Sequence, residues 1–229
     1  MALEIVSFDF GGTLVYETRK EYVVYHEIFE TLGIEVDINE VESAIQKAKD
    51  WWKEQKKQGI IWNSNVLEKY IQHVAMYLKI EGTPDLVKRV DELWLDRAGL
   101  KAYEDVEPAI EDLRRRGYRL IVISNVTSLK SLSTYLSKVN LNTYFALLAA
   151  SGSVGFEKPN KGLFLWASRA IGVDPGRIVH IGDDFDADYL GATASGFKAI
   201  LVDRSGKNAD RSAIRVRSLT EVPQIIRTM

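Results

Sequence analysis

The spacing of the apolar residues changes twice along these 229 residues, and the two changes outline the fold. Residues 3–8 make one apolar run of strand length. From about residue 18 to residue 97 the apolar positions recur at helical spacing instead. Tyr22, Tyr25, Phe29 and Leu32 share one face, and Val41, Ala44, Ile45, Ala48 and Trp52 a second. Val66, Leu67, Tyr70, Ile71, Val74 and Leu78 form a third, and Leu86, Val90, Leu93 and Trp94 a fourth. Four amphipathic helices with short connections imply a small bundle. After Leu100, strand-length and helix-length segments alternate. A helix lies between Pro108 and Gly117, a strand at 120–124, a helix at 128–139 and an apolar run at 145–150. Then come a helix over Lys161–Ile171, a strand at 177–181, a helix at 188–194 and a strand over Lys198–Val202. Such alternation predicts a parallel sheet with helices on both faces. One strand precedes the bundle, so the expected class is α/β: a Rossmann-like parallel-sheet core of residues 1–16 and 101–229, interrupted by an inserted helical-bundle domain of residues 17–100.

Ligands of open parallel sheets bind outside the carboxyl ends of the strands. Here each such end carries reactive side chains. The first strand runs into Asp9-Phe10-Gly11-Gly12-Thr13-Leu14, and the second ends in Ser124-Asn125. Gly155-Phe156-Glu157-Lys158-Pro159 precedes the next helix, and the strand at 177–181 leads into Gly182-Asp183-Asp184-Phe185-Asp186-Ala187-Asp188. Taken singly, each has an ordinary reading. Asp9 could form a turn, Ser124 could cap the following helix, and Lys158 could be a solvated loop lysine. Asp184 and Asp186 read as solvated or capping residues. Their convergence on one sheet edge is what singles the set out.

These four segments resemble the four motifs of the haloacid dehalogenase superfamily. Asp9 matches its nucleophile, Ser124 the second-motif hydroxyl, Lys158 the third-motif lysine, and Gly182-Asp183 with Asp188 the fourth motif. The inserted helices resemble its cap domain of the first type. The resemblance implies a Mg²⁺ ion held by Asp9, the backbone carbonyl of Gly11 and Asp183, with Asp188 one layer further out. It also implies a phosphate group met by Ser124, Asn125 and Lys158. The chemistry suits these residue types. A carboxylate can attack phosphorus and form an acyl-phosphate, splitting one hard step into two. Carboxylate oxygens are the hard ligands that Mg²⁺ prefers. Lys158 and Ser124 would offset and bind charge on the phosphoryl group, the main work in phosphoryl transfer. The expected activity is Mg²⁺-dependent hydrolysis of a small phosphorylated metabolite through an aspartyl-phosphate on Asp9, with the cap closing over the site.

One position departs from the family's Asp-x-Asp-Gly-Thr pattern. Gly11 stands where the family's phosphatases carry a second aspartate, a general acid/base typically worth about 10²–10⁴-fold in rate. Three readings follow. The protein is a phosphatase for good leaving groups, or one in which water or a cap residue substitutes. It is a phosphonate hydrolase that uses a cap lysine, among Lys47, Lys49, Lys53, Lys56 and Lys57. Or it is a 2-haloacid dehalogenase, which needs no leaving-group proton. Family dehalogenases replace the Gly-Asp pair with neutral residues, whereas Gly182, Asp183 and Asp188 are kept here, which favours the phosphatase. A non-catalytic binding protein on the same fold is the reading outside enzymology.

A formal net charge of −2 gives no field that would draw nucleic acid or an anionic membrane. Apolar runs fall far short of the roughly 20 residues of a membrane span. Glu4 and Asp9 interrupt any signal-peptide pattern. The absence of cysteine excludes disulfide and thiolate chemistry and fits a cytoplasmic protein. The expected partner is a small phosphorylated molecule, with no nucleic acid and no membrane, and the chain a monomer or homodimer. Trp51, Trp52, Trp62 and Trp94 read as bundle core, with Trp62 the best candidate to line a substrate entrance. His26 and His73 read as packed or exposed, and His180 as structural.

Overall fold

The computed structural model describes residues 2–229. In chain order the elements begin with strands β1 (Ile5–Phe8) and β2 (Val15–Glu17), then helices α1 (Glu21–Thr31), α2 (Ile38–Lys57), α3 (Ser64–Tyr77) and α4 (Pro84–Arg97). There follow β3 (Leu100–Ala102), α5 (Val106–Arg115), β4 (Arg119–Ser124), α6 (Leu129–Lys138), β5 (Leu147–Ala150), α7 (Ser151–Val154) and α8 (Lys161–Ile171). The chain continues through β6 (Ile178–Gly182), a one-and-a-half-turn π-helix (Phe185–Leu190), α9 (Gly191–Ala194), β7 (Lys198–Val202), β8 (Arg215–Val216) and α10 (Val222–Ile226). No helix among the described residues is long and apolar enough to cross a membrane.

Six strands form one sheet in the order β5-β4-β1-β6-β7-β8, and every pairing is parallel. The fold is therefore α/β, as the alternating periods predicted. β1 sits between β4 and β6 with all four residues buried, which explains its unbroken apolar run. The strand order reverses there, and such a switch point opens a crevice at the carboxyl edge. On one face Ile5, Ile121, Ile123 and Ile178 pack against Leu163, Phe164 and Ala167 of α8. Helix α5 buries Val106, Ala109, Ile110 and Leu113 as a single stripe.

The chain divides into two compact units, residues up to Tyr16 with Ala102–Met229, and Glu17–Lys101. The second unit has its own core. Val24, Ile28, Phe29, Val41, Ile45, Tyr70, Ile71, Val74 and Val90 are buried there, with Trp51, Trp52, Trp62 and Trp94 packed partly buried against them. Side-chain caps start three of its helices. Asp37 accepts from the Asn39 and Glu40 amides, Asn63 from Val66, and Thr83 from Leu86. Trp62 lies edge-on to Trp52 and Tyr70, with ring centroids 4.9 and 5.6 Å away.

The sequence reading starts the helix before Gly196 at residue 188, but the helical backbone begins at Phe185. Asp184 is the reason: its carboxylate accepts from the amides of Asp186 and Ala187 and caps the turn. Five short elements, β2, β3, β8, α7 and α10, carry too few residues to show a period.

Candidate functional site

Asp9 is the first residue past β1, and its amide still bonds to the Ile181 carbonyl at 2.8 Å, so the ladder itself sets its position. The chain then turns back. Leu14 and Val15 donate to the Phe10 carbonyl and Gly12 to that of Val15. Gly12 has φ +80, and a Cβ there would lie 2.6 Å from the Asp183 carboxylate, so only glycine fits. Thr13, fully buried, donates from Oγ1 to Asp183 Oδ1 at 3.3 Å. Gly182 is equally constrained, since a Cβ there would overlap the Asp188 side chain.

Lys158, buried, sits at the centre. Its ammonium donates to Asp9 Oδ1 at 2.6 Å, Asp188 Oδ1 at 2.5 Å and the Ile123 carbonyl at 2.9 Å. Ser124, at the end of β4, also donates to Asp9 Oδ1, at 3.0 Å. It does not cap the next helix, a task performed by Ser128. Asn125 brackets the Lys158 peptide: its Oδ1 accepts from the Lys158 amide at 2.8 Å and its Nδ2 donates to the Lys158 carbonyl at 3.0 Å. That amide aims the lysine and keeps one N–H for another acceptor. Asp188 is fully engaged, its Oδ2 accepting from the Asp184 amide at 3.0 Å.

Carboxylate oxygens of Asp9, Asp183 and Asp188 lie within 4.8 Å of one another. Asp9 and Asp183 at this spacing supply hard oxygen donors that suit Mg²⁺, with the engaged Asp188 adding negative charge beside them, so the residues present fit the ion. The Gly11 carbonyl belongs to the same turn as Asp9. Without a cation the acids perturb one another. Burial pushes the Asp9 carboxyl up to about 6; Lys158 opposes this and Asp188 adds to it. Burial and then Asp188 likewise raise Asp183. Burial would also raise Asp188, but Lys158 and His180 outweigh it and hold that carboxyl below its usual range. Burial alone would lower Lys158; Asp188 and Asp9 reverse this and keep it an ammonium.

Ser7 and His180 extend the network underneath. They are register partners on β1 and β6, with Ser7 Oγ 2.8 Å from His180 Nδ1 and His180 Nε2 3.2 Å from Asp188 Oδ1. A carboxylate only accepts, so the proton is assigned to Nε2, and Nδ1 accepts from the hydroxyl. Burial first of all lowers the imidazole's pKa, consistent with a neutral ring. Ser7 was not singled out from the sequence. The signal was there: both residues are polar midpoints of otherwise apolar buried strands. Among the bundle lysines, Lys53 and Lys57 pair with Asp50 and Glu54 one turn back, and Lys49 reaches Glu21 at 2.6 Å.

Known proteins resemble this one in sequence and in fold. The glyceraldehyde 3-phosphate phosphatase of Methanothermobacter thermautotrophicus is 37% identical over 120 residues, 52% of this chain and 53% of that protein. The phosphoserine phosphatase of Thermus thermophilus is 33% identical over 146 residues, 62% of this chain and 58% of that protein. The chain thus spans about half the length of the curated relatives it matches. A 2-haloacid dehalogenase from Pseudomonas syringae pv. Tomato DC3000 has the same fold, with a TM-score of 0.78 over 99% of both chains at 21% identity. A family model of haloacid dehalogenase-like hydrolases matches residues 3–196. With most of the chain inside that match, this protein belongs to the haloacid dehalogenase-like hydrolases.

Proposed function

We propose that the chain is a Mg²⁺-dependent phosphatase that hydrolyses a small phosphorylated metabolite through an aspartyl-phosphate on Asp9. The observation that carries this reading is the buried Lys158 ammonium set between Asp9 and Asp188, beside carboxylate oxygens of Asp9, Asp183 and Asp188 within 4.8 Å of one another. The matched relatives named as phosphatases support it. Asp9, the Gly11 carbonyl and Asp183 would hold the ion, with Asp188 behind them. Bound there, Mg²⁺ would offset the negative charge of carboxylates and phosphoryl oxygens and help to orient the group for attack.

The chain's own residues supply the rest. Ser124 and Lys158 converge on Oδ1 of Asp9, so Oδ2 would be the oxygen left to attack phosphorus. As the new O–P bond forms and the bond to the leaving oxygen breaks, Ser124 and Lys158 transfer hydrogen bonds to phosphoryl oxygens. Asn125 holds Lys158 in place and offers its remaining N–H. Water then cleaves the acyl-phosphate and restores the Asp9 carboxylate. Residues 17–101 would act as the cap that selects the substrate and excludes water. A cytoplasmic site of action fits the lack of cysteine.

A panel of phosphate esters, phosphonates and 2-haloacids, each with and without Mg²⁺, tests the reading. Metal-dependent phosphate release that vanishes in Asp9→Asn is expected. Halide release without metal, or no turnover across the panel, would overturn it.

A further inference from the structure

Arg204 lies beyond residue 196, where the family match ends, yet it reaches back to the loop that follows β1. Its guanidinium grips Asp105 with both forks, Nη1 to Oδ2 at 2.7 Å and Nη2 to Oδ1 at 3.0 Å. Nη2 also donates to the Thr13 carbonyl at 3.0 Å. The ring of Tyr103 lies against the guanidinium, 3.8 Å from Cζ to the centroid. Asp105 is itself anchored from the same C-terminal stretch, by the Ser218 hydroxyl at 2.9 Å and the Leu219 amide at 2.8 Å. Burial would raise the Asp105 carboxyl, but Arg204, Leu219 and Ser218 together hold it below the usual range, so the pair stays charged.

We propose that Arg204 is a positioning residue for the metal side of the site, acting through Thr13 on Asp183. The peptide of Thr13 is fixed by Arg204 at its carbonyl, and its side chain is the one that bonds Asp183 Oδ1. Gly12, the residue before it, packs directly against the same carboxylate. A shift of this loop therefore moves the two groups that orient Asp183. A planar guanidinium can hold both Asp105 oxygens and the carbonyl at once; a lysine ammonium cannot match that fork. Tyr103 closes one face of the guanidinium and restricts the directions in which it can tilt. The stretch from Arg204 to Leu219 thus completes a site whose reacting groups all lie before it in the chain.

The inference rests on the proposed role of Asp183 as a metal ligand, and titration calorimetry on metal-free protein separates the two. MgCl₂ is titrated into the wild type, Arg204→Gln, Arg204→Lys and Asp105→Asn, with melting temperature and steady-state kinetics measured in parallel. Arg204→Gln and Asp105→Asn are expected to weaken Mg²⁺ binding about 10-fold, in the range for groups that orient a metal ligand. Arg204→Lys should fall between them and the wild type. The apparent KM for an aryl phosphate should stay within about twofold, and kcat should recover at excess Mg²⁺, because the metal ligands themselves are unchanged. Should Arg204→Gln fail to fold, Arg204→Lys and the milder Ser218→Ala still decide the matter. A lowered melting temperature with unchanged Mg²⁺ affinity would show that Arg204 is only structural and would overturn the inference. A wild type that binds no Mg²⁺ would overturn the metal reading and this inference together. A wild type that binds it, with variants that bind equally well, would overturn this inference alone.

Discussion

Two aspartates share the ammonium of Lys158, which favours the charged form of both, yet they end with opposite tendencies. Asp188 is held ionised, while burial pushes Asp9 up to about 6. That lies above the ordinary aspartate value of 3.8, so the folded, metal-free protein binds an extra proton between those two pH values. By linkage its stability falls as pH rises through that window, since the unfolded chain gives up the proton first. A bound divalent cation favours the carboxylate and must displace the proton. Mg²⁺ affinity is therefore expected to rise with pH up to about 6, by up to tenfold per unit for one proton, and then to level off. Calorimetric titrations across this range check it, and an affinity flat from about pH 5 to pH 8 would contradict the raised Asp9. At this scale the sequence marks Asp9, Ser124, Lys158, Asp183 and Asp188 as polar residues that follow apolar runs or turns, and the fold brings them together. Ser7 with His180 and Asp105 with Arg204 are different. Each pair meets only through strand register or through a return of the chain from beyond β7, and neither is written in local spacing.

The turn after β1 holds two adjacent glycines with different constraints. Gly12 is required by its left-handed backbone and by the carboxylate against it. Gly11 is outside the left-handed region, is exposed, and would place a Cβ in open space. The turn can therefore accept a side chain at Gly11 without rearranging. Gly11→Asp is expected to fold normally and to raise kcat/KM for alkyl phosphates by up to about 10²-fold, with little change for aryl phosphates. A general acid matters most where the leaving oxygen is basic. An equal effect on both classes, or none, would show that a missing proton donor is not what distinguishes this turn. Elements were legible in proportion to their length. α1 to α4, α8 and β7 follow from periodicity over many residues or from long apolar runs. β2, β3 and β8 span two or three residues and depend on a partner strand. The π-helix before α9 starts at a cap, Asp184, which the sequence alone reads as either solvated or capping.

Across the whole molecule, the α/β class followed from alternating periods because β1, β4, β6 and β7 are almost wholly buried and so read as continuous apolar runs. The insertion leaves and rejoins the sheet-bearing unit through β2 and β3, which pair in a small sheet of their own. The two ends of that excursion are thus neighbours, and a short glycine-serine turn can join them. A variant with residues 18–99 replaced in this way is expected to fold, since each unit has its own core, and to bind Mg²⁺ within a few-fold of the full chain. It should also discriminate less among phosphate esters. Circular dichroism melts, Mg²⁺ titration and the same ester panel read these outcomes. A variant that is unfolded would show instead that Glu17–Lys101 supplies structure to the rest. The central place of β1 has a consequence for synthesis. The strand that presents Asp9 pairs with residues 119–122 and 178–181, so a ribosome must release most of the chain before it gains either neighbour. The helices between can close their own core meanwhile from local contacts. Until then β1 remains an apolar strand with both edges bare, the segment of a nascent chain that chaperones bind and aggregates recruit.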